Sequence, residues 1–175
     1  MKVLIVVDMQ NDFIDGSLGT KEAVGIVDRV AEVMDSFDGA VICTRDTHFA
    51  DYLETSEGRK LPVEHCIEGT KGHALQDTIQ KMADKKQAVV MNKITFGAKN
   101  LPEEIEKLAG GVPESIELVG LCTDICVISN AMLLKAFYPE VSISVDASAC
   151  AGVTPQSHKN ALEAMKMCQI DIVNE

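Results

Sequence analysis

The stretch "LCTDICV", Leu121 to Val127, places two cysteines four residues apart around a Thr-Asp pair. Cys126 opens the helix expected after a strand. A thiol there feels the positive end of the helix dipole, which favours the thiolate. The N–H groups of the same turn could receive an oxyanion. Lys93 ends another expected strand and could hold a thiolate by charge. Asp8 ends the first strand and could take the thiol proton, then deliver it to a leaving group. A Cys, an acid and a Lys make a complete nucleophilic set without histidine. The competing reading is plain: cysteine is often a small buried hydrophobe, and lysine is usually solvated. A zinc clip from Cys122 and Cys126 fits less well, because the spacing is C-x₃-C and no second pair lies nearby.

A second constellation lies in "TRDTHFADYLETSEGRKLPVEHC", Thr44 to Cys66. Asp46 and His48 are two apart, so on an extended segment their side chains share a face. His65 follows in the same loop. Two histidines and a carboxylate suit Zn²⁺, Fe²⁺ or Mn²⁺, with positions left for water or substrate. Glu57 or Glu54 could add a fourth oxygen ligand. Read singly, Asp46 is a turn residue and each histidine a surface one.

These residues need elements to hold them. "KVLIVVD", "AVICTRD", "QAVVMNK", "SIELVGL", "EVSISVDAS" and "IDIVN" read as strands. The continuous apolar runs suit burial on both faces of a parallel sheet. Between them lie "KEAVGIVDRVAEVMDSF", "HALQDTIQKMADK", "PEEIEKLAGG", the mostly apolar "DICVISNAMLLKAFYP", whose composition implies burial, and "PQSHKNALEAMKMCQ". Strand and helix alternate throughout. That order predicts an α/β fold: a three-layer αβα sandwich around a mainly parallel, Rossmann-like doubly wound sheet. Asp8, Asp46, Lys93, the Cys122–Cys126 turn and Asp146 all fall at predicted strand ends, where such sheets bind ligands. Thr47 to Gly72 is the longest irregular stretch, and long loops in compact domains tend to be functional.

Composition bounds the partners. The chain has 175 residues, 46% apolar and 25% charged, with net charge −11. One domain spanning 1–175 is expected. The acidic balance argues against nucleic acid and anionic membrane, both of which need a basic surface. No apolar run is long enough to cross a bilayer. The first residues read as a strand, not a signal peptide, so a cytoplasmic protein with a small-molecule substrate is expected. The six scattered cysteines then read as reduced thiols. A homo-oligomer is left open.

Taken in order, "VVDMQNDF", "TRDTH", "LPVEHCIEGT", "NKITFGA", "VGLCTDICV" and "SVDASA" resemble the isochorismatase-like cysteine hydrolases, and the match covers nearly the whole chain. The resemblance implies a triad of Asp8, Lys93 and Cys126. It also implies a cis peptide between Leu121 and Cys122, with the amides of Cys122 and Cys126 as the oxyanion hole. Cys126 disfavours vinyl-ether hydrolysis. Asp46, His48 and His65, with Glu57, resemble the metal triplet of the nicotinamidase-like branch, with zinc the leading metal. Phe13 and Leu121 would line the substrate pocket. One departure is Leu61, where that branch commonly has Trp. The implied function is metal-dependent hydrolysis of nicotinamide through a Cys thioester. The alternatives are an amidase for another small amide or ureido compound, and a catalytically silent ligand-binding member.

Overall fold

The computed structural model describes residues 1–175. Six strands form one sheet: β1 (Lys2–Val7), β2 (Ala40–Asp46), β3 (Val89–Lys93), β4 (Ser115–Leu121), β5 (Ser142–Ala151) and β6 (Asp171–Val173). All pairings are parallel, in the order β3-β2-β1-β4-β5-β6. Chain order reverses between β1 and β4, the crevice where doubly wound sheets place ligands.

Alternation along β1 shows how the layers form. Val3, Ile5 and Val7 join a core with Leu101, Leu134 and Met165, from α5 (Leu101–Ala109), α6 (Ile128–Phe137) and α7 (Pro155–Met167). Leu4 and Val6 face the other way, onto Val30 and Met34 of α2 (Lys21–Ser36) and Ile79 of α4 (Asp77–Lys85). Both faces are covered, which is why the strands read as continuous apolar runs. At the crevice β4 comes close to β1. Gly120 has φ +113°, and a Cβ there would collide with the Val7 carbonyl.

Five sequence expectations change. The helix expected from His73 begins at Asp77, where the Gln76 side chain caps the N–H groups of Thr78 and Ile79. The preceding residues instead join the segment after β1: Gln76 N–H donates to Met9 and Asn11 N–H to Ala74. The loop after β2 holds a 3₁₀ turn (Tyr52–Glu54) and a short helix, α3 (Ser56–Lys60). A further short helix, α1 (Asn11–Ile14), follows β1. Asp146 lies within β5 and not at its end, because the strand continues to Ala151. There it is buried and bound by Arg29, Ser148 and Asn174, apart from the other four sites. Helix α6, apolar around its circumference, buries only part of its surface and leaves Met132 and Phe137 exposed.

Candidate active site

Three chain segments converge on Lys93. Its Nζ lies 2.8 Å from Asp8 Oδ2, 3.0 Å from Asp46 Oδ1 and 3.3 Å from Cys126 Sγ. The parallel register explains part of this: Asp46 and Lys93 are paired at the ends of β2 and β3. Asp8 follows β1 with φ +48°, a left-handed conformation that Asp tolerates better than most residues. It is tied to β2 by its N–H to the Thr44 carbonyl and by the Thr44 hydroxyl donating to Oδ1 at 2.7 Å. Asp8, Asp46, Lys93 and Cys126 are all buried.

Cys126 sits in a wide first turn, Thr123–Val127, where Val127 N–H reaches back to the Cys122 carbonyl. Asn130, fully buried, fixes this turn. Its Nδ2 donates to the Cys126 carbonyl at 2.8 Å, and its Oδ1 accepts from Ala98 N–H at 2.8 Å. The Leu121–Cys122 peptide is cis, as the resemblance implies. The Cys122 N–H has no acceptor within the protein.

Electrostatics revise one expectation. Burial raises the Cys126 thiol well above its ordinary pKa, the Asp8 charge adds to this, and Lys93 opposes it incompletely. Burial and the neighbouring carboxylates thus oppose the thiolate that helix position and Lys93 favour. Burial also raises Asp8, against Lys93. Burial disfavours the Lys93 ammonium, yet the Asp8, Cys126 and Asp46 charges outweigh it and hold Lys93 protonated. Asp8 Oδ2 faces the ammonium at 2.8 Å, and Oδ1 accepts from Thr44. Burial pushes Cys122 up to about 12, which marks it as an inert thiol.

The second constellation closes beside the first. Asp46, His48, Glu57 and His65 each offer one donor atom, all within 4.8 Å of one another. His65 Nδ1 donates to the Val63 carbonyl at 2.8 Å, which leaves Nε2 as the lone-pair nitrogen facing Asp46 and Glu57. His48 Nε2 lies 2.9 Å from Asp46 Oδ2. Two imidazoles and two carboxylates, oriented by outer hydrogen bonds, suit a divalent transition metal. Helix α3 brings in Glu57, whereas Glu54 is exposed and outside the set. Tyr52, fully buried, packs its ring 4.7 Å from His48 and 5.1 Å from His65.

Some supporting residues carry no local signal in the sequence. Gln10 accepts from Asp46 N–H at 2.7 Å and donates to the Asp46 carbonyl at 2.8 Å, locking that residue on both sides. Asp12 accepts from Cys66 N–H at 2.8 Å, directly after His65. Thr44 was findable, because it shares a strand face with Asp46.

Between the two constellations is a cavity of about 280 Å³. Cys126, Asp46, His65 and Glu57 supply its polar wall, and Phe13, Leu61, Phe96 and Leu121 are among its apolar ones.

A doubly wound sheet carrying a buried Cys-Asp-Lys cluster, taken with its relatives, defines a hydrolase of amide C–N bonds. The chain belongs to the isochorismatase domain family, which matches residues 2–174. It is similar to the nicotinamidase/pyrazinamidase of Mycobacterium tuberculosis, 28% identical over 191 residues that cover 99% of this chain and 98% of the relative. Among solved structures, the pyrazinamidase of Pyrococcus horikoshii in complex with zinc is 27% identical, covers 99% of both chains and has a TM-score of 0.79. N-carbamoylsarcosine amidase from Thermoplasma acidophilum is 28% identical with a TM-score of 0.78, covering 98% of this chain and 94% of that one. No helix is long and apolar enough to cross a membrane.

Proposed function

We propose that this protein is a metal-dependent cysteine amidohydrolase that converts nicotinamide to nicotinate and ammonia, which would assign it to NAD salvage. The observation that carries the reading is the position of Asp46. One carboxylate oxygen meets Lys93 of the thiol cluster, and the other faces the two histidines.

Asp8 takes the thiol proton as Cys126 Sγ attacks the amide carbon. The developing oxyanion is received by the N–H groups of Cys122 and Cys126. Lys93 stays protonated throughout and offsets negative charge on sulfur and on Asp8. Asp8 then passes its proton to the departing nitrogen, which leaves as ammonia, and a Cys126 thioester remains. Asp8 next draws a proton from water as that water attacks the thioester carbonyl. The intermediate collapses to nicotinate, and the proton returns to sulfur, restoring the thiol. Asp46, His48, Glu57 and His65 would hold the metal, for which Zn²⁺ is the leading candidate and Fe²⁺ or Mn²⁺ suit the same donors. When bound, it supplies a Lewis acid for the ring nitrogen, directly or through water. Phe13 gives the flat ring an apolar wall.

The likeness to N-carbamoylsarcosine amidase supports a second reading, hydrolysis of a ureido compound. A linear ureido substrate offers no ring nitrogen to the metal, so the donor set favours nicotinamide. The test is kcat/KM for nicotinamide, benzamide and a ureido acid in one metal-replete preparation. Nicotinamide should lead. Equal turnover of benzamide would show that the ring nitrogen is not read, and preference for the ureido acid would overturn the assignment.

A further inference from the structure

The cavity is larger than the substrate proposed for it. A single-ring carboxamide fills about 150 Å³ at the packing density of a protein interior. The cavity holds about 280 Å³. Of its polar groups, Asp46, His65 and Glu57 would face the metal and Cys126 the amide, and with Thr20 set aside the rest of the volume lies against Phe13, Leu18, Leu61, Phe96 and Val153.

That surplus has an exit. A groove of about 420 Å³ adjoins the cavity, and the two share Glu57, Leu61, Phe96 and Ile125. Beyond this shared wall the groove is bordered by Ile94 and by the polar Ser56, Lys60 and Thr95. Leu61, Phe96 and Ile94 are 38%, 45% and 65% exposed, so three large apolar side chains stand in water along the line that leads out of the site. Asn130 braces the loop that carries Phe96 through Ala98 N–H at 2.8 Å and the Phe96 carbonyl at 3.4 Å, so this edge is fixed in place. A fixed, partly exposed apolar edge continuous with a catalytic cavity is built to cover more of a ligand than one ring.

We propose that the substrate class extends from nicotinamide to ring carboxamides bearing an apolar substituent that passes Leu61 and Phe96 into this groove. The inference rests on the nicotinamide reading and extends its substrate class. The substituent is apolar because Leu61, Phe96, Ile94 and Ile125 form one side of the groove; Ser56, Glu57, Lys60 and Thr95 complete its lining. It leaves the ring from the carbon adjacent to neither the nitrogen nor the carboxamide carbon, the 5-position of nicotinamide, because the other two points are engaged at the polar wall. Leu61 is the specificity-determining residue, placed where cavity and groove meet.

The experiment compares kcat/KM for nicotinamide, 5-methylnicotinamide and 5-propylnicotinamide with metal-replete enzyme. Complete burial would raise kcat/KM about fourfold per methylene, the equivalent of about 0.8 kcal/mol. With partial exposure in the groove, 5-propylnicotinamide should exceed 5-methylnicotinamide by about tenfold, mainly through KM. Leu61→Trp, which blocks the junction, should bring the propyl-to-methyl ratio to one or below, and Leu61→Ala should preserve or increase it. Hydrolysis of nicotinamide with neither alkyl compound preferred overturns this proposal alone. No turnover of any of the three amides overturns both it and the nicotinamide reading.

Discussion

Asp46 and Lys93 form a buried 3.0 Å ion pair across the β2–β3 register, and through it the metal donors and the thiol share one charge network. With Asp46 carrying its full charge, it adds to the forces that keep the Cys126 thiol protonated. A divalent cation on the other Asp46 oxygen withdraws that field and frees Lys93 to face sulfur. Alkylation of Cys126 by iodoacetamide at neutral pH should therefore be several-fold faster in metal-loaded than in chelator-treated protein. Equal rates would show that the two sites are not coupled.

The nucleophile assignment has a direct check. Cys126→Ala should lower kcat roughly 10⁴-fold or more, as loss of an attacking atom does. Cys122→Ala keeps its backbone N–H and should retain most activity. The reverse pattern, measured by ammonia release from folded variants, would overturn the assignment.

Much of this site was legible because parallel strands end at one edge. Asp8, Asp46, Lys93 and the Cys122–Cys126 turn each follow an apolar run, and topology alone brings them together. Asp146 also follows such a run, but β5 continues past it, and no local signal marks that extension. Glu57 could not be separated from Glu54, because the choice depends on how α3 turns. Gln10, Asp12 and Asn130 act on partners from other elements, so their roles need the tertiary fold. The forces that oppose a Cys126 thiolate were hidden for a related reason. Helix position and a lysine are visible in sequence, whereas the burial that outweighs them is made by segments far apart along the chain.

Asp12 should control metal affinity without touching the metal. Cys66 has φ +47° and is gripped on both sides, its N–H by Asp12 and its carbonyl by His48 N–H at 3.0 Å. This grip sets His65 beside His48. Gly72 makes room for it, since a Cβ there would collide with the Asp12 carboxylate. Asp12→Ala should weaken metal binding about 10- to 100-fold, the range for outer hydrogen-bond partners of ligands. Asp12→Asn keeps an acceptor oxygen and should recover most of it. Chelator competition, run where circular dichroism shows both variants folded, measures the effect, and unchanged affinity in Asp12→Ala would refute the role.

The pH dependence should follow Asp8. Burial raises its pKa above the usual carboxylate range, with Lys93 opposing. Only the ionised form can accept the thiol proton, so kcat/KM is present above that raised pKa and is lost as pH falls through it. At fixed saturating metal, the acid limb should be first order in protons, with its midpoint above the 3.8 of an ordinary Asp. Asp8→Asn cannot take the proton and should lose activity at every pH, flattening the profile. Asp8→Glu, which restores a carboxylate, should recover a pH-dependent limb at lower kcat. An acid limb that persists unchanged in residual Asp8→Asn activity would assign the titration to another group and remove Asp8 from the proton path.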